Sequence, residues 1–339
     1  MSRLRAIEID DRDRIPHTPE DFLRWLGGPA ILRVPGRDGA RTRAVSTLLH
    51  GNEPSGLRAL HRMLREGFVP AVDLVAFIGS VEAALSPPVF SRRALPDHPD
   101  LNRCFAPPFE QAERALAGQV LDQLRGAAPE ALVDVHNTTG HTPPYGVGTI
   151  VADPQLHLVS LFASAYVHSD LRLGTLVEAT EHEFPSVVIE CGMAGEAASD
   201  ALAKAGLERY LGAGDLEPIR EAVSGITVVG RPIRVNIRTG ARMAFGDAPV
   251  PGADITIRSD IDGENFKPMP RGAVVGWLSG GAWPLWAVGV EGQDVSRDLF
   301  AARGEILETR RDIIPIMMTT DPEIALSDCL FYVVFPEGG

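Results

Sequence analysis

Two short stretches carry residue types that can grip a metal ion. In Leu48-Leu49-His50-Gly51-Asn52-Glu53-Pro54-Ser55-Gly56 an imidazole and a carboxylate stand three positions apart. In Asp134-Val135-His136-Asn137-Thr138-Thr139-Gly140 a second imidazole follows the apolar run Ala131 to Val135. Two histidines and one carboxylate with an open fourth position are the ligand set of a hydrolytic zinc site. His-x-x-Glu alone is a weak motif, and the bland alternative is a pair of satisfied loop histidines. The metal reading of His50, Glu53 and His136 leads because each imidazole comes directly after a strand-like run, where α/β sheets place their ligands.

Three further clusters fit around such an ion. Val187-Val188-Ile189-Glu190-Cys191-Gly192 is a buried strand ending in a carboxylate, which is costly unless it is paired or used. Beside a metal-activated water, Glu190 can serve as general base and then general acid. In Asp100-Leu101-Asn102-Arg103, an amide and a guanidinium side by side can fork onto a substrate carboxylate. Asp100 can take the second ring proton of a metal-bound imidazole. Arg92-Arg93 sits among Pro87, Pro88, Pro96 and Pro99, which rule out a long helix. A loop arginine there can polarise a scissile carbonyl. The ordinary uses of these last two clusters are a capped surface turn and solvated charge.

The elements that must position these residues read as strand, turn and helix in alternation. Strands are predicted at Ala44 to Leu49, Val72 to Ile78, Ala131 to Val135, Gly148 to Val151 and Ser186 to Ile189. Helices are predicted near Ser55 to Glu66, Glu110 to Leu124, Gln155 to Ala165 and Glu196 to Leu211, after a peripheral lead-in to about residue 40 with one short helix around Asp21 to Leu26. This is the pattern of an α/β layer sandwich with a parallel or mixed sheet. Past Ile219 the helical spacing stops. Short β-type runs follow at Ile226 to Val229, Ile233 to Ile237, Ala253 to Ile257, Ala273 to Trp277 and Cys329 to Phe335. The expected organisation is a hydrolase domain over 1–222 and a smaller β-rich C-terminal domain over 223–339, reasonable for 339 residues.

Composition narrows the function classes. Forty-five acids against 32 bases, a net charge of −13, argue against a nucleic-acid surface, which needs a basic stripe. The three cysteines, Cys104, Cys191 and Cys329, have no paired spacing, so a disulfide framework is not expected and a reducing cytoplasm fits. No run approaches a membrane span, and the first residues carry acids where a signal peptide is apolar.

His50-Gly51-Asn52-Glu53, Asp100-Leu101-Asn102-Arg103, Asp134-Val135-His136-Asn137 and Ile189-Glu190-Cys191-Gly192, in this order and at these intervals, resemble the succinylglutamate desuccinylase and aspartoacylase family of the zinc carboxypeptidase superfamily. The resemblance implies a carboxypeptidase-like three-layer α/β/α sandwich with a mixed sheet and a β-rich C-terminal domain. It implies one zinc ion (Zn2+) per chain on His50, Glu53 and His136, with Asp100 supporting His50. Asn102 and Arg103 would bind the substrate carboxylate, and Glu190 would be the base. The substrate class is then a small N-acyl amino acid or related amide; charge and hydropathy give no nucleic-acid or membrane partner, and a homo-oligomer is compatible with the sequence. The family's carbonyl-polarising arginine precedes the Asn by seven positions, but here that place is Leu95; the role falls to Arg93, nine before, or to Arg92. The family's arginine for a distal carboxylate has no counterpart in the acidic stretch Glu178 to Glu183, with Arg172 a distant substitute, and Tyr332 is a poor stand-in for its closing tyrosine.

Two alternatives remain at this level: a metallocarboxypeptidase acting on small peptides, and a non-catalytic metal-binding protein on the same scaffold. Other tempting residues take plainer readings. His61 is a surface position, His157 and His168 are helix-face or core positions, and His141 belongs to a loop. Cys191 packs, Trp277, Trp283 and Trp286 serve the β-rich domain, and Glu178 to Glu183 form a solvated turn.

Overall fold

In a computed structural model the structure describes residues 4–110, 112–230, 232–289, 292–327 and 329–335. The chain divides into two compact units. One runs to Asn137 and resumes over Pro144–Val228; the other comprises Thr138–Pro143 and the described residues from Val229 onward.

The first unit is built on β1 (Arg5–Glu8), β2 (Ala30–Val34), β3 (Asp38–Thr47), β4 (Val72–Ile78), β5 (Leu132–Thr138), β6 (Tyr145–Gly148), β7 (Ala165–His168), β8 (Ser186–Met193) and β9 (Thr227–Gly230), in the sheet order β1-β2-β4-β3-β5-β8-β6-β7-β9. The sheet is mixed: β3 runs parallel to both β4 and β5, whereas β2 is antiparallel to β4 and β6 to β8. Helices α1 (Pro19–Leu26), α2 (Ser55–Arg65), α3 (Val81–Leu85), α4 (Ala112–Ala127), α5 (Asp153–Ser160), α6 (Leu176–Thr180), α7 (Ala197–Gly212) and α8 (Arg220–Ser224) connect the strands.

Alternation along the strands makes two cores. Leu32, Val45, Leu74, Ala76, Val133 and Val187 pack with Phe22 of α1, Leu60 of α2 and Leu207 of α7. Their neighbours Ile31, Ala44, Val75, Phe77 and Leu132 pack on the opposite face with Ala117, Leu121 and Leu124 of α4 and Leu176 of α6. Successive side chains of a strand point to opposite faces, so the sheet is covered on both sides and the architecture is the three-layer sandwich. Arg43 in β3 is fully buried. It donates to Glu130 Oε2 at 3.0 Å and to the carbonyls of Tyr210 and Ala213, satisfying the C-terminal end of α7.

The second unit is β-rich. Strands β10 (Ile233–Ile237), β11 (Met243–Gly246), β12 (Ile255–Arg258), β13 (Val274–Leu278), β14 (Leu285–Ala287), β15 (Phe300–Arg303), β16 (Ile306–Thr309), β17 (Ile314–Ile316) and β18 (Phe331–Val334) form two sheets, β14-β10-β18-β17 and β11-β12-β13-β16-β15. Val235, Ile255, Ile257, Leu307 and Phe331 lie in its core.

The structure departs from the sequence expectation at several places. The stretch before residue 40 is no mere lead-in, because β1 and β2 join the sheet and β2 is almost wholly buried. Pro29 and Pro35 only bracket a five-residue strand. The predicted helix Gln155 to Ala165 stops at Ser160, and β7 begins at Ala165. Strands β5 and β8 run past the ends expected of them, so His136 and Glu190 lie inside strands. The run near Ile226 becomes β9 of the large sheet.

Gly56 sits where α2 meets the sheet: a Cβ there would lie 2.3 Å from Thr47 Oγ1 and 2.8 Å from Val135 Cβ. Gly56→Ala is expected to cost about 1–3 kcal/mol through overpacking, read as a lower urea midpoint. Gly126→Ala in α4, with open space around it, should be neutral or gain up to about 1 kcal/mol. Equal effects would show that contact with the sheet is not what excludes a side chain at position 56.

Candidate metal centre

Three adjacent strands deliver the candidate residues. In the parallel β3–β5 pair Ser46 stands beside Asp134 and Thr47 beside Val135, so the turn after β3 and the last part of β5 leave the sheet at one end. The turn begins at Leu48, which is buried and has φ 58°, a conformation L residues other than asparagine and aspartate rarely adopt. Ser80 holds it there: its N–H donates to Leu48 O at 2.7 Å and its hydroxyl to Leu49 O at 2.7 Å. Gly51 follows, and a Cβ on it would lie 2.7 Å from Arg92 O. Its N–H donates to Arg93 O at 2.9 Å, so the Pro-rich loop rests directly on this glycine.

The outcome is convergence. His50 Nδ1 lies 2.8 Å from Glu53 Oε1, and His136 Nδ1 lies 2.6 Å from Glu53 Oε2. The ring centroids are 5.0 Å apart, and the three candidate ligand atoms fall within 4.8 Å of one another, all on buried residues. The far nitrogen of each imidazole meets an aspartate: His50 Nε2 is 3.0 Å from Asp100 Oδ1, and His136 Nε2 is 2.9 Å from Asp134 Oδ2. Carboxylates in that position fix the tautomer and ring orientation of metal-binding histidines. The donor set of two imidazole nitrogens and a carboxylate, pre-aimed at one point, fits a divalent ion such as zinc.

The electrostatics agree with this reading. Burial alone would raise Glu53, but the two imidazoles hold it well below the usual carboxylate range. Burial would likewise lower His136, but the charges of Asp134 and Glu53 keep it protonated well above the ordinary histidine value. Asp100 is held low by His50, Arg93 and Arg103 against its own burial. Metal ligands must give up such protons, so a cation competes directly for the Nδ1 positions.

Glu190 behaves differently. Burial pushes it up to about 7, with the charge of Glu53 adding to the effect and His136, His50 and Arg93 opposing it. Its Oε2 is buried and, among the described residues, has no hydrogen-bond partner. An orphaned carboxylate oxygen needs a reason, and proton transfer at this site is one.

The remaining candidates are partly gathered in. Arg93 donates to Asp100 Oδ2 from Nε at 3.1 Å and Nη2 at 2.8 Å, and its Nη1 is 3.5 Å from Glu53 Oε1. Arg92, by contrast, is exposed. Asn102 is buried, and its Oδ1 accepts from Leu176 N at 3.0 Å, which commits the amide oxygen and leaves Nδ2 as the donor end. Arg103 Nη1 donates to Asn102 O and lies 4.0 Å from Asp100 Oδ2. Asp134 is a member of the site that sequence reasoning misses. Its signal was Asp-x-His on a strand, a spacing that puts both side chains on one face.

Other expectations change. His61 is buried, not surface, with Nε2 2.8 Å from Pro16 O. His168 lies in a strand, with Nε2 3.0 Å from Thr149 O. His141 lies in a loop, as expected, within the second unit, where Nδ1 is 2.8 Å from Asp262 Oδ2. Glu178 to Glu183 is not simply solvated: Glu178 accepts from Leu173 N and Gly174 N, and buried Glu181 binds Thr149 and Arg172. Cys191 packs in the core as expected, and Trp286 is partly exposed in β14.

No protein-family model and no curated protein matches the chain. Solved structures share its fold. A succinylglutamate desuccinylase/aspartoacylase from Rhodobacter sphaeroides matches at 18% identity and TM-score 0.55, over 90% of this chain and 88% of that one. The product-bound ectoine utilization protein EutE (DoeB) from Ruegeria pomeroyi matches at 17% identity and TM-score 0.57 over the same shares. Murine aminoacylase 3 matches at 17% identity and TM-score 0.53, over 88% of this chain and 96% of that one. The mixed α/β sandwich with additional β sheets is therefore the desuccinylase/aspartoacylase fold.

Zinc at a hundred times its dissociation constant is expected to add about 2.7 kcal/mol to unfolding free energy, measured by urea titration with and without the ion. Asp134→Asn should weaken zinc binding about 10-fold or more, as read by competition with a chromophoric chelator. Unchanged affinity would remove Asp134 from the centre.

Proposed function

We propose that the chain is a zinc-dependent amidohydrolase of the succinylglutamate desuccinylase and aspartoacylase family, which releases the amino acid from an N-acyl amino acid or a related small amide. One observation carries this: both imidazole Nδ1 atoms converge on the single carboxylate of Glu53, with an aspartate behind each ring. The shared fold and the chemistry described in the names of its neighbours support the same reading.

In the proposed site His50, Glu53 and His136 hold the ion. A zinc ion bound there supplies a Lewis acid for the amide carbonyl and makes water acidic enough to lose a proton near neutral pH. Glu190 takes that proton at Oε2 and hands it to the departing amine, a task suited to a carboxyl whose affinity for protons is poised near neutrality. Arg93 is the guanidinium that faces the developing oxyanion, held by Asp100 while Nη1 points toward the metal ligands. Asn102 and Arg103 receive the carboxylate beside the scissile bond, Asn102 through Nδ2, since its Oδ1 is committed to Leu176 N. Cytoplasmic residence fits three buried cysteines that form no disulfide.

Glu190→Gln should retain zinc yet lower kcat by about 100-fold or more, measured as amine release across a panel of N-acyl amino acids. Near-normal turnover by the zinc-loaded variant would exclude Glu190 as the base. Hydrolysis of dipeptides in preference to that panel would shift the assignment to a carboxypeptidase.

A further inference from the structure

Asn137 follows a metal-site histidine, yet its side chain faces away from the three proposed ligands and toward the segments that bear them. It is nearly inaccessible to solvent. Its Oδ1 accepts from Ser55 N at 3.0 Å, and its Nδ2 donates to Ser55 Oγ at 3.0 Å and to Gly192 O at 3.0 Å. Its own backbone N–H points at Glu53 Oε2 from 3.4 Å. The amide orientation is not arbitrary. A backbone N–H faces one end and a backbone carbonyl the other, so a flipped amide would lose both bonds.

The three segments joined by this one amide are the three that carry the chemistry. Asn137 itself adjoins His136; Ser55 lies two residues beyond Glu53; Gly192 lies two residues beyond Glu190. Helix α2 has Pro54 before its first residue and no side-chain cap of its own, so Asn137 provides from another strand the acceptor its first turn lacks. Ser55 Oγ passes the chain of bonds to Asp200 Oδ1 at 2.5 Å, and Asp200 Oδ2 accepts from Arg58 at 3.1 Å. Arg58 in turn lies over the ring of Phe90, 5.3 Å from its centroid, in the loop that leads to Arg93. A polar network, buried at Asn137 and Ser55 and partly exposed at Asp200 and Arg58, fixes geometry more firmly than apolar contact, because each partner has a direction as well as a distance.

We propose that Asn137 is a positioning residue that sets the spacing between the metal carboxylate, the second histidine and the general base. This rests on reading His50, Glu53 and His136 as a metal centre. Loss of the amide lets the start of α2 and the end of β8 drift independently, which loosens Glu53 toward the ion and moves Glu190 away from the reacting water.

The test uses the full-length protein loaded with zinc or cobalt(II), with Asn137→Ala and the subtler Ser55→Ala. Asn137→Asp adds a variant of equal size that makes the Gly192 contact repulsive. Circular dichroism and urea unfolding of the metal-free proteins establish folding. Asn137→Ala is expected to bind zinc about 10- to 100-fold more weakly by chelator competition, with altered visible bands of the cobalt(II) form. Asn137→Asp should lower kcat at least about tenfold with KM nearly unchanged, since proton transfer contributes about 100-fold or more when its geometry is right. Ser55→Ala should show the same effects in weaker form if Asn137→Ala does not fold. Wild-type affinity, an unaltered cobalt(II) spectrum and an unchanged kcat in the folded variants would overturn the role of Asn137 while leaving the metal centre intact. A wild-type protein that binds neither ion would overturn both.

Discussion

The structure depends on the sharing of one carboxylate between two imidazoles. Glu53 contributes one oxygen to each ring, and neither ring could be placed so without the parallel pairing of β3 and β5. That pairing brings the turn after β3 and the end of β5 out at one end of the sheet. Residues far apart in sequence therefore meet with little loop between them. The cost is visible in the backbone: Leu48 adopts a left-handed conformation, and Gly51 can carry no side chain because the Arg92–Arg93 loop lies against it. Strain and crowding of this sort persist where surrounding contacts impose them, here through Ser80 and Arg93.

Much of this was legible in the sequence because the chemistry is written in residue types that are scarce in apolar strands. His50, Glu53, His136 and Glu190 stand out against Val, Ile and Leu, and their intervals matched a family whose fold the chain shares. The central strand Val72–Ile78 and the helix beginning at Ser55 were also plain, since apolar spacing alone marks them. What escaped were elements whose local signals mislead. β2 is bracketed by Pro29 and Pro35 and reads as loop, yet it lies between β1 and β4 because pairing on both edges outweighs its flanks. His61 looked like an exposed helix residue; Pro16 and Phe22, distant in sequence, bury it.

The supporting polar contacts were the least readable, and for a physical reason. A carboxylate behind an imidazole, or an amide that caps another segment's helix, leaves no periodic trace, because its partner is set by tertiary approach. Asp134 could have been found from its spacing on the strand. The bond from Ser55 to Asp200 joins residues 145 positions apart and had no counterpart in any local pattern. The acidic stretch before Glu190 departs from a solvated turn for the same cause: Glu178 and Glu181 direct their charge to nearby backbone amides and to Thr149 and Arg172.

Asp100 holds His50 with one oxygen and Arg93 with the other. The orientations of the imidazole and of the guanidinium are therefore tied to a single side chain, and neither group can turn without disturbing the anchor of the other.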